Sequence, residues 1–181
     1  MKILPTAIPG PLLIEPTVFG DDRGFFFEAW SAAKFAENGL DVSFVQDNHS
    51  RSQKGVLRGL HFQNPKSQGK LVRVATGAVY DVAVDIRRSS PYFGKWIGVE
   101  LSAENKRLLW VPKGFAHGFL TLQDQTDFLY KCDAPYSADN EHTLAWDDPS
   151  IGIDWPLQGM QPLLSDKDKS GKTLAEIEAF A

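Results

Sequence analysis

Apolar and polar residues alternate with a period of two through much of this chain. In Ala78–Ile86, Ala78, Tyr80, Val82, Val84 and Ile86 fall on one face, and Val79, Asp81, Ala83 and Asp85 on the other. That is the pattern of a half-buried strand whose second face is polar enough to meet water or a ligand. Comparable strands are predicted at Leu12–Phe19, Arg23–Ala29, Val42–Gln46, Val56–Phe62, Lys70–Ala75, Trp96–Leu101, Arg107–Val111, Gly118–Leu122 and Thr126–Cys132. Turn signals separate them, among them Gly20-Asp21-Asp22, Asn64-Pro65-Lys66-Ser67, Ser89-Ser90-Pro91 and Pro112-Lys113-Gly114. Many short strands at this spacing predict an antiparallel sandwich or barrel rather than alternating βαβ units. Helical spacing is confined to Ala32–Asn38, with Ser31 as its cap and Gly39 as its stop, and to the tail Lys172–Phe180. There is no repeat, linker or low-complexity tract, so residues 1–181 are expected to form one mainly β domain with a few short helices.

Composition narrows the function. A length of 181 residues suits one domain with a sizeable core. The formal net charge of -4 gives no global field for nucleic acid, so an anionic ligand has to be held by a few local Arg and Lys side chains. The one cysteine, Cys132, allows no intrachain disulfide and sits in an apolar run, where a buried thiol is expected. Prolines at 5, 9 and 11 interrupt the start of the chain, which does not read as a signal peptide. No segment approaches the ~20 apolar residues of a membrane helix. A cytoplasmic protein is the expectation.

The chain has no GxxxxGK[ST], GxGxxG, HExxH or GxSxG motif. None of its four histidines, His49, His61, His117 and His142, is a near neighbour of another, which argues against a metal site. His61 follows the apolar Val56-Leu57-Arg58-Gly59-Leu60, where burial would leave its imidazole neutral. A neutral imidazole suits a general base acting on a carbon acid beside a carbonyl, but a structural core histidine fits the same context. Strict alternation puts Arg58 and His61 on opposite faces unless the strand bulges near Gly59. Lys70 opens the next strand, and a hairpin would bring its ammonium near His61 to stabilise an enolate; a solvated edge lysine is the plainer alternative. Tyr130, alternating with Phe128 and Cys132, is a proton donor or a core tyrosine. Asp168 reads as an ordinary surface charge.

Taken in register, these segments resemble one family. Phe19-Gly20-Asp21-Asp22-Arg23-Gly24-Phe25-Phe26, Gln46-Asp47-Asn48-His49-Ser50, Val56–Gln63, Gln68–Arg73, Leu101–Arg107, Pro112–Phe119 and Phe128–Lys131 are similar to the deoxythymidine-diphosphate-4-dehydrorhamnose 3,5-epimerases over about Thr6 to Asp168. The resemblance implies a cupin-like antiparallel jelly-roll barrel working as a homodimer. It implies no metal or redox cofactor: Pro112-x-Gly114-x-x-His117 looks like the second cupin motif, but the paired histidines of the first are absent. The substrate implied is a dTDP-4-keto-6-deoxyhexose, inverted at the carbons flanking its ketone on the route to dTDP-L-rhamnose. By resemblance His61 is the base, Asp168 its partner, Lys70 the enolate stabiliser and Tyr130 the acid. Binding positions fall on Arg23, Glu28, Gln46, Asp47, Asn48, Arg58, Lys70, His117, Glu141 and Lys167, with Phe26 and Tyr136 as candidates for stacking. A single-centre ketosugar epimerase and a non-catalytic sugar-nucleotide-binding jelly roll are the alternatives; a metal-dependent cupin oxygenase ranks behind them.

Overall fold

The computed structural model describes residues 1–181. In chain order the strands are β1 (Lys2–Pro5), β2 (Leu12–Glu15), β3 (Phe19–Asp21), β4 (Gly24–Phe26), β5 (Gln46–Ser52), β6 (Leu57–Gln63), β7 (Lys70–Thr76), β8 (Ala78–Asp85), β9 (Trp96–Ser102), β10 (Leu108–Val111), β11 (Phe115–Thr121), β12 (Thr126–Cys132) and β13 (Glu141–Thr143). The helices are α1 (Ala32–Glu37) and α2 (Asp166–Lys169). Antiparallel pairing builds a six-stranded sheet, β1-β2-β10-β7-β12-β5, and a five-stranded sheet, β13-β6-β11-β8-β9; β3 and β4 form a separate hairpin. The result is the jelly-roll barrel expected.

Alternation decides which residues meet between the sheets. Val72, Val74, Leu109, Val111 and Phe128 from the larger sheet pack against Val79, Ala83, Ile97, Leu101, Phe115 and Phe119 from the smaller. Phe128 and Phe119 stack across this space with ring centroids 4.0 Å apart. Truncating Phe128 to Ala would cost about 3–5 kcal/mol, the scale for a buried aromatic. Each sheet is also covered outside. Phe35 of α1 and Leu40 close over Ile14, Leu71, Leu108 and Trp110. Leu144, Ile151, Trp155 and Ile177 close over Leu57, Leu60, Val82 and Val84.

That double cover corrects the expectation for β8. Its apolar face does pack, through Val82, Val84 and Ile86. Its other face, however, looks into the protein interior, where Asp81 and Asp85 have no exposed surface. His117 bonds Asp81, while Arg87 and Ser90 bond Asp85, so both carboxyls are satisfied.

Other boundaries move for physical reasons. The strand expected at Val42–Gln46 begins at Gln46 and runs to Ser52; Val42 and Phe44 instead pack on the α1 cluster. The spans Leu12–Phe19 and Arg23–Ala29 shorten to β2, β3 and β4. Ser31 sits at the N-cap of α1 in an extended conformation without a side-chain cap bond. The tail Lys172–Phe180 is not helical. Its apolar residues Leu174, Ile177 and Phe180 cover the smaller sheet, and its backbone forms isolated bridges from Lys172 to Leu144 and from Phe180 to Arg87. No helix is long and apolar enough to cross a membrane.

Candidate active site

Two adjoining hollows of about 230 and 300 Å³ share His61, Lys70, Tyr130, Tyr136 and Glu141 as lining. One wall belongs to each sheet. On the five-stranded side, β6 pairs β11 with His61 opposite His117 and Arg58 opposite Phe119, so β6 holds one extra residue between these pairs. That bulge resets the alternation, and Arg58 and His61 both line the cavity. Gly59 makes it possible. Its φ is +129°, and a Cβ there would lie 2.5 Å from the Gly118 Cα.

His61 and Asp168 are 107 residues apart in sequence, yet His61 Nε2 lies 2.7 Å from Asp168 Oδ1. Far from being a surface charge, Asp168 is 4% exposed. Ser165 caps α2 by accepting from the Asp168 amide, and its hydroxyl donates to Asp168 Oδ2 at 2.6 Å. The Gly59 amide donates to Oδ1. Burial alone would raise the Asp168 carboxyl, but the donors from His61, Ser165 and Gly59 prevail and hold it at about 2. An ionised Asp168 can only accept, so His61 donates through Nε2 and keeps its Nδ1 lone pair as a base. Burial pushes the imidazole below its ordinary range, with Asp168 opposing and Lys70 and Lys167 assisting.

The facing wall comes from three neighbouring strands in register. Lys70 and Gln46 flank Cys132, and Val72 and Asn48 flank Tyr130. Lys70 and Tyr130 therefore face the cavity from adjacent strands. Burial lowers the Lys70 ammonium and raises the Tyr130 phenol, which stays protonated at neutral pH. Cys132 is fully buried and its thiol pushed up by burial, as a structural cysteine should be. The hairpin expected between the His61 and Lys70 strands does not form. β6 and β7 lie in different sheets, and their side chains meet across the barrel instead.

At the mouth, Glu141 accepts from Lys167 at 2.8 Å and from the Tyr136 hydroxyl at 2.9 Å. Deeper in, His117 bonds Asp81 at 2.9 Å and Arg58 donates to Ser52. Arg23, Phe26, Glu28 and Asp47 stand elsewhere. Arg23 forks onto Asp21 in the exposed β3–β4 hairpin, which also leaves Phe26 exposed. Glu28 pairs with Lys34, and Asp47 pairs with Lys131. Asp47 lines a groove of about 610 Å³ with Trp30, Leu71, Leu108 and Lys131, which shares Asn48 and Tyr130 with the cavity. It contains neither His61 nor Lys70. No three His, Cys, Asp or Glu side chains converge as metal ligands would. Ser165 and Asp81, both missed from sequence, support the two histidines. Gln63, also missed, was signalled by its spacing two residues from His61 on one strand.

The model of the dTDP-4-dehydrorhamnose 3,5-epimerase family matches residues 5–176. A dTDP-4-dehydrorhamnose 3,5-epimerase of Pseudomonas aeruginosa is 56% identical over 181 residues, covering 99% of each chain. One of Shigella flexneri is 57% identical over 182 residues with the same coverage. Among solved structures, a dTDP-6-deoxy-D-glucose-3,5-epimerase from Legionella pneumophila in complex with dTDP-4-keto-L-rhamnose superimposes with a TM-score of 0.94 at 53% identity, covering 98% of this chain and 94% of that one.

Proposed function

This chain belongs to the dTDP-4-dehydrorhamnose 3,5-epimerase family, and on that premise we propose a residue-level route for its epimerase reaction. The observation that carries the proposal is that His61 and Tyr130 line one cavity from opposite sheets. Inversion needs a proton taken from one face of a ring and returned to the other, which calls for groups on opposite walls.

The substrate is a dTDP-4-keto-6-deoxyhexose whose C4 ketone acidifies the hydrogens on C3 and C5. His61 Nδ1 removes one, and the electron pair moves into the C4 carbonyl as an enolate. Lys70 stabilises the oxyanion with its ammonium, and away from bulk water that charge acts more strongly. Tyr130 gives its phenolic proton to the opposite face of the carbon. Solvent then reprotonates the phenolate and takes the proton held by His61, which resets the site for the second centre. Asp168 fixes the imidazole's tautomer and favours its charged form.

Arg58, Gln46, Asn48, His117, Glu141 and Lys167 surround the cavity and supply the polar contacts for a nucleoside diphosphate, with Tyr136 as the flat surface for the base or sugar. Arg23, Phe26 and Glu28 reach a site as part of a homodimer, in which the hairpin of a second copy completes the first. The exposure of Phe19, Phe25 and Phe26, at 63%, 62% and 65%, supports that role, since three bare aromatics on one hairpin call for a partner surface. Proton NMR of the 4-keto-6-deoxyglucose nucleotide in heavy water tests the reaction. Deuterium should enter C3 and C5 without added metal or cofactor; exchange at one centre alone, or at neither, would overturn the two-centre route.

A further inference from the structure

The segment Ala134–Ser137 leaves β12 and carries Tyr136 to the cavity mouth, outside any strand. Its backbone has no ladder to use, yet four of its polar groups are taken by glutamine side chains. Gln68 Nε2 donates to Ala134 O at 2.7 Å, and Gln63 Nε2 donates to Pro135 O at 3.4 Å. The Tyr136 amide donates to Gln46 Oε1 at 2.8 Å, and the Ser137 amide donates to Gln63 Oε1 at 3.0 Å. The three glutamines come from β5, β6 and the β6–β7 connection, and all three line the cavity. Gln63 is 4% exposed, and its amide also holds Lys66 O at 2.8 Å, so it ties two loops to the strand that bears His61. Gln46 spends its other end on Asn48.

The geometry points to Gln63, with Gln46 and Gln68, as a positioning clamp that holds the Tyr136 ring at the cavity mouth and so sets affinity for the nucleotide. The role rests on the proposed use of Tyr136 as the ligand's flat contact. A loop aromatic that must present one face to a ligand binds weakly if its backbone has to be ordered on each encounter, and a preformed clamp removes that cost. The clamp leaves His61, Lys70 and Tyr130 in place. Its signature is therefore a change in binding with little change in chemistry.

Titration of thymidine diphosphate into the intact enzyme, with steady-state kinetics alongside, tests this. Gln63→Leu should weaken thymidine diphosphate binding about tenfold, the scale of one to two lost hydrogen bonds. It should raise KM similarly and leave kcat within about threefold. Gln68→Ala, which removes one bond at the segment's other end, should do the same by about threefold; it carries the test should Gln63→Leu fold poorly. Hydrogen exchange at the Tyr136 and Ser137 amides should quicken in Gln63→Leu. On a Tyr136→Ala background, Gln63→Leu should add nothing to the loss of affinity. Unchanged affinity in both glutamine variants, or losses that add in full to Tyr136→Ala, would overturn the clamp. Failure of the epimerase route would show differently, as unaltered protein that binds thymidine diphosphate but exchanges neither C3 nor C5 hydrogen.

Discussion

Two histidine–aspartate pairs stand side by side in this cavity, His61 with Asp168 and His117 with Asp81, and the two histidines are direct cross-strand partners. Their contacts are alike: 2.7 Å in one pair, 2.9 Å in the other. The carboxyls differ. Asp168 receives donors from Ser165 and the Gly59 amide besides His61, and is held at about 2. Asp81 has no surface exposure, and burial pushes it up, with His117 and Lys70 opposing without prevailing. A histidine–carboxylate contact does not by itself decide which way its carboxyl shifts; the depth of burial and the other donors on the carboxyl decide it.

His61→Ala should break the contrast most strongly, lowering deuterium exchange at C3 and C5 by at least ~10² while nucleotide binding survives. His117→Ala should act mainly on KM; an equal loss of kcat in both variants would erase the distinction. Next in size, Asp168→Asn should lower kcat roughly 10- to 100-fold. Because Asp168 raises the His61 pKa, its loss should also move the acid limb of the rate–pH profile to lower pH, from a starting point already below 6.5. A limb that stays or moves upward would contradict the coupling. Tyr130→Phe sharpens the picture from the facing wall, since product formation should suffer more than exchange at C3, which needs only abstraction.

Stability gives the smallest effects, with opposite signs at the two carboxyls. The Asp168 carboxyl lies lower in the folded protein than its ordinary 3.8, so it stabilises the fold above that value, and the contribution is lost as pH falls toward about 2. Asp81 lies above 3.8, so its proton favours the fold at low pH, and that contribution is lost as pH rises through its folded value. At pH 7, Asp168→Asn should lower the thermal midpoint more than Asp81→Asn, and the gap should close toward pH 3. Thermal unfolding across that range measures it.

Parts of both walls were legible in the sequence. Period-two patterning placed Tyr130 with Phe128 and Cys132, and the conflict between Arg58 and His61 pointed to the bulge at Gly59 that the register shows. Asp168 was recognisable only by resemblance, because no local pattern links residues 107 apart. β5 was misplaced because its inward positions, Gln46, Asn48, Ser50 and Ser52, are polar. They pair with β12 beside a polar-lined cavity rather than an apolar core, so hydrophobic alternation vanishes where the chemistry begins. The tail failed for the opposite reason. Leu174 and Ile177 have helical spacing, but their burial comes from irregular backbone draped on a sheet.

The placement of His61 and Tyr130 on different sheets also bears on how the enzyme comes into being. Neither sheet alone carries both proton-transfer groups, and Asp168 arrives from a segment later than any strand. Chain closure over these distances is the slow part of assembling a β-rich protein. A nascent or partly refolded chain, however much strand it has formed, therefore holds no competent half-site. Recovery of activity after denaturation would come no earlier than the docking of the two sheets, and would lag behind any spectroscopic sign of β-structure.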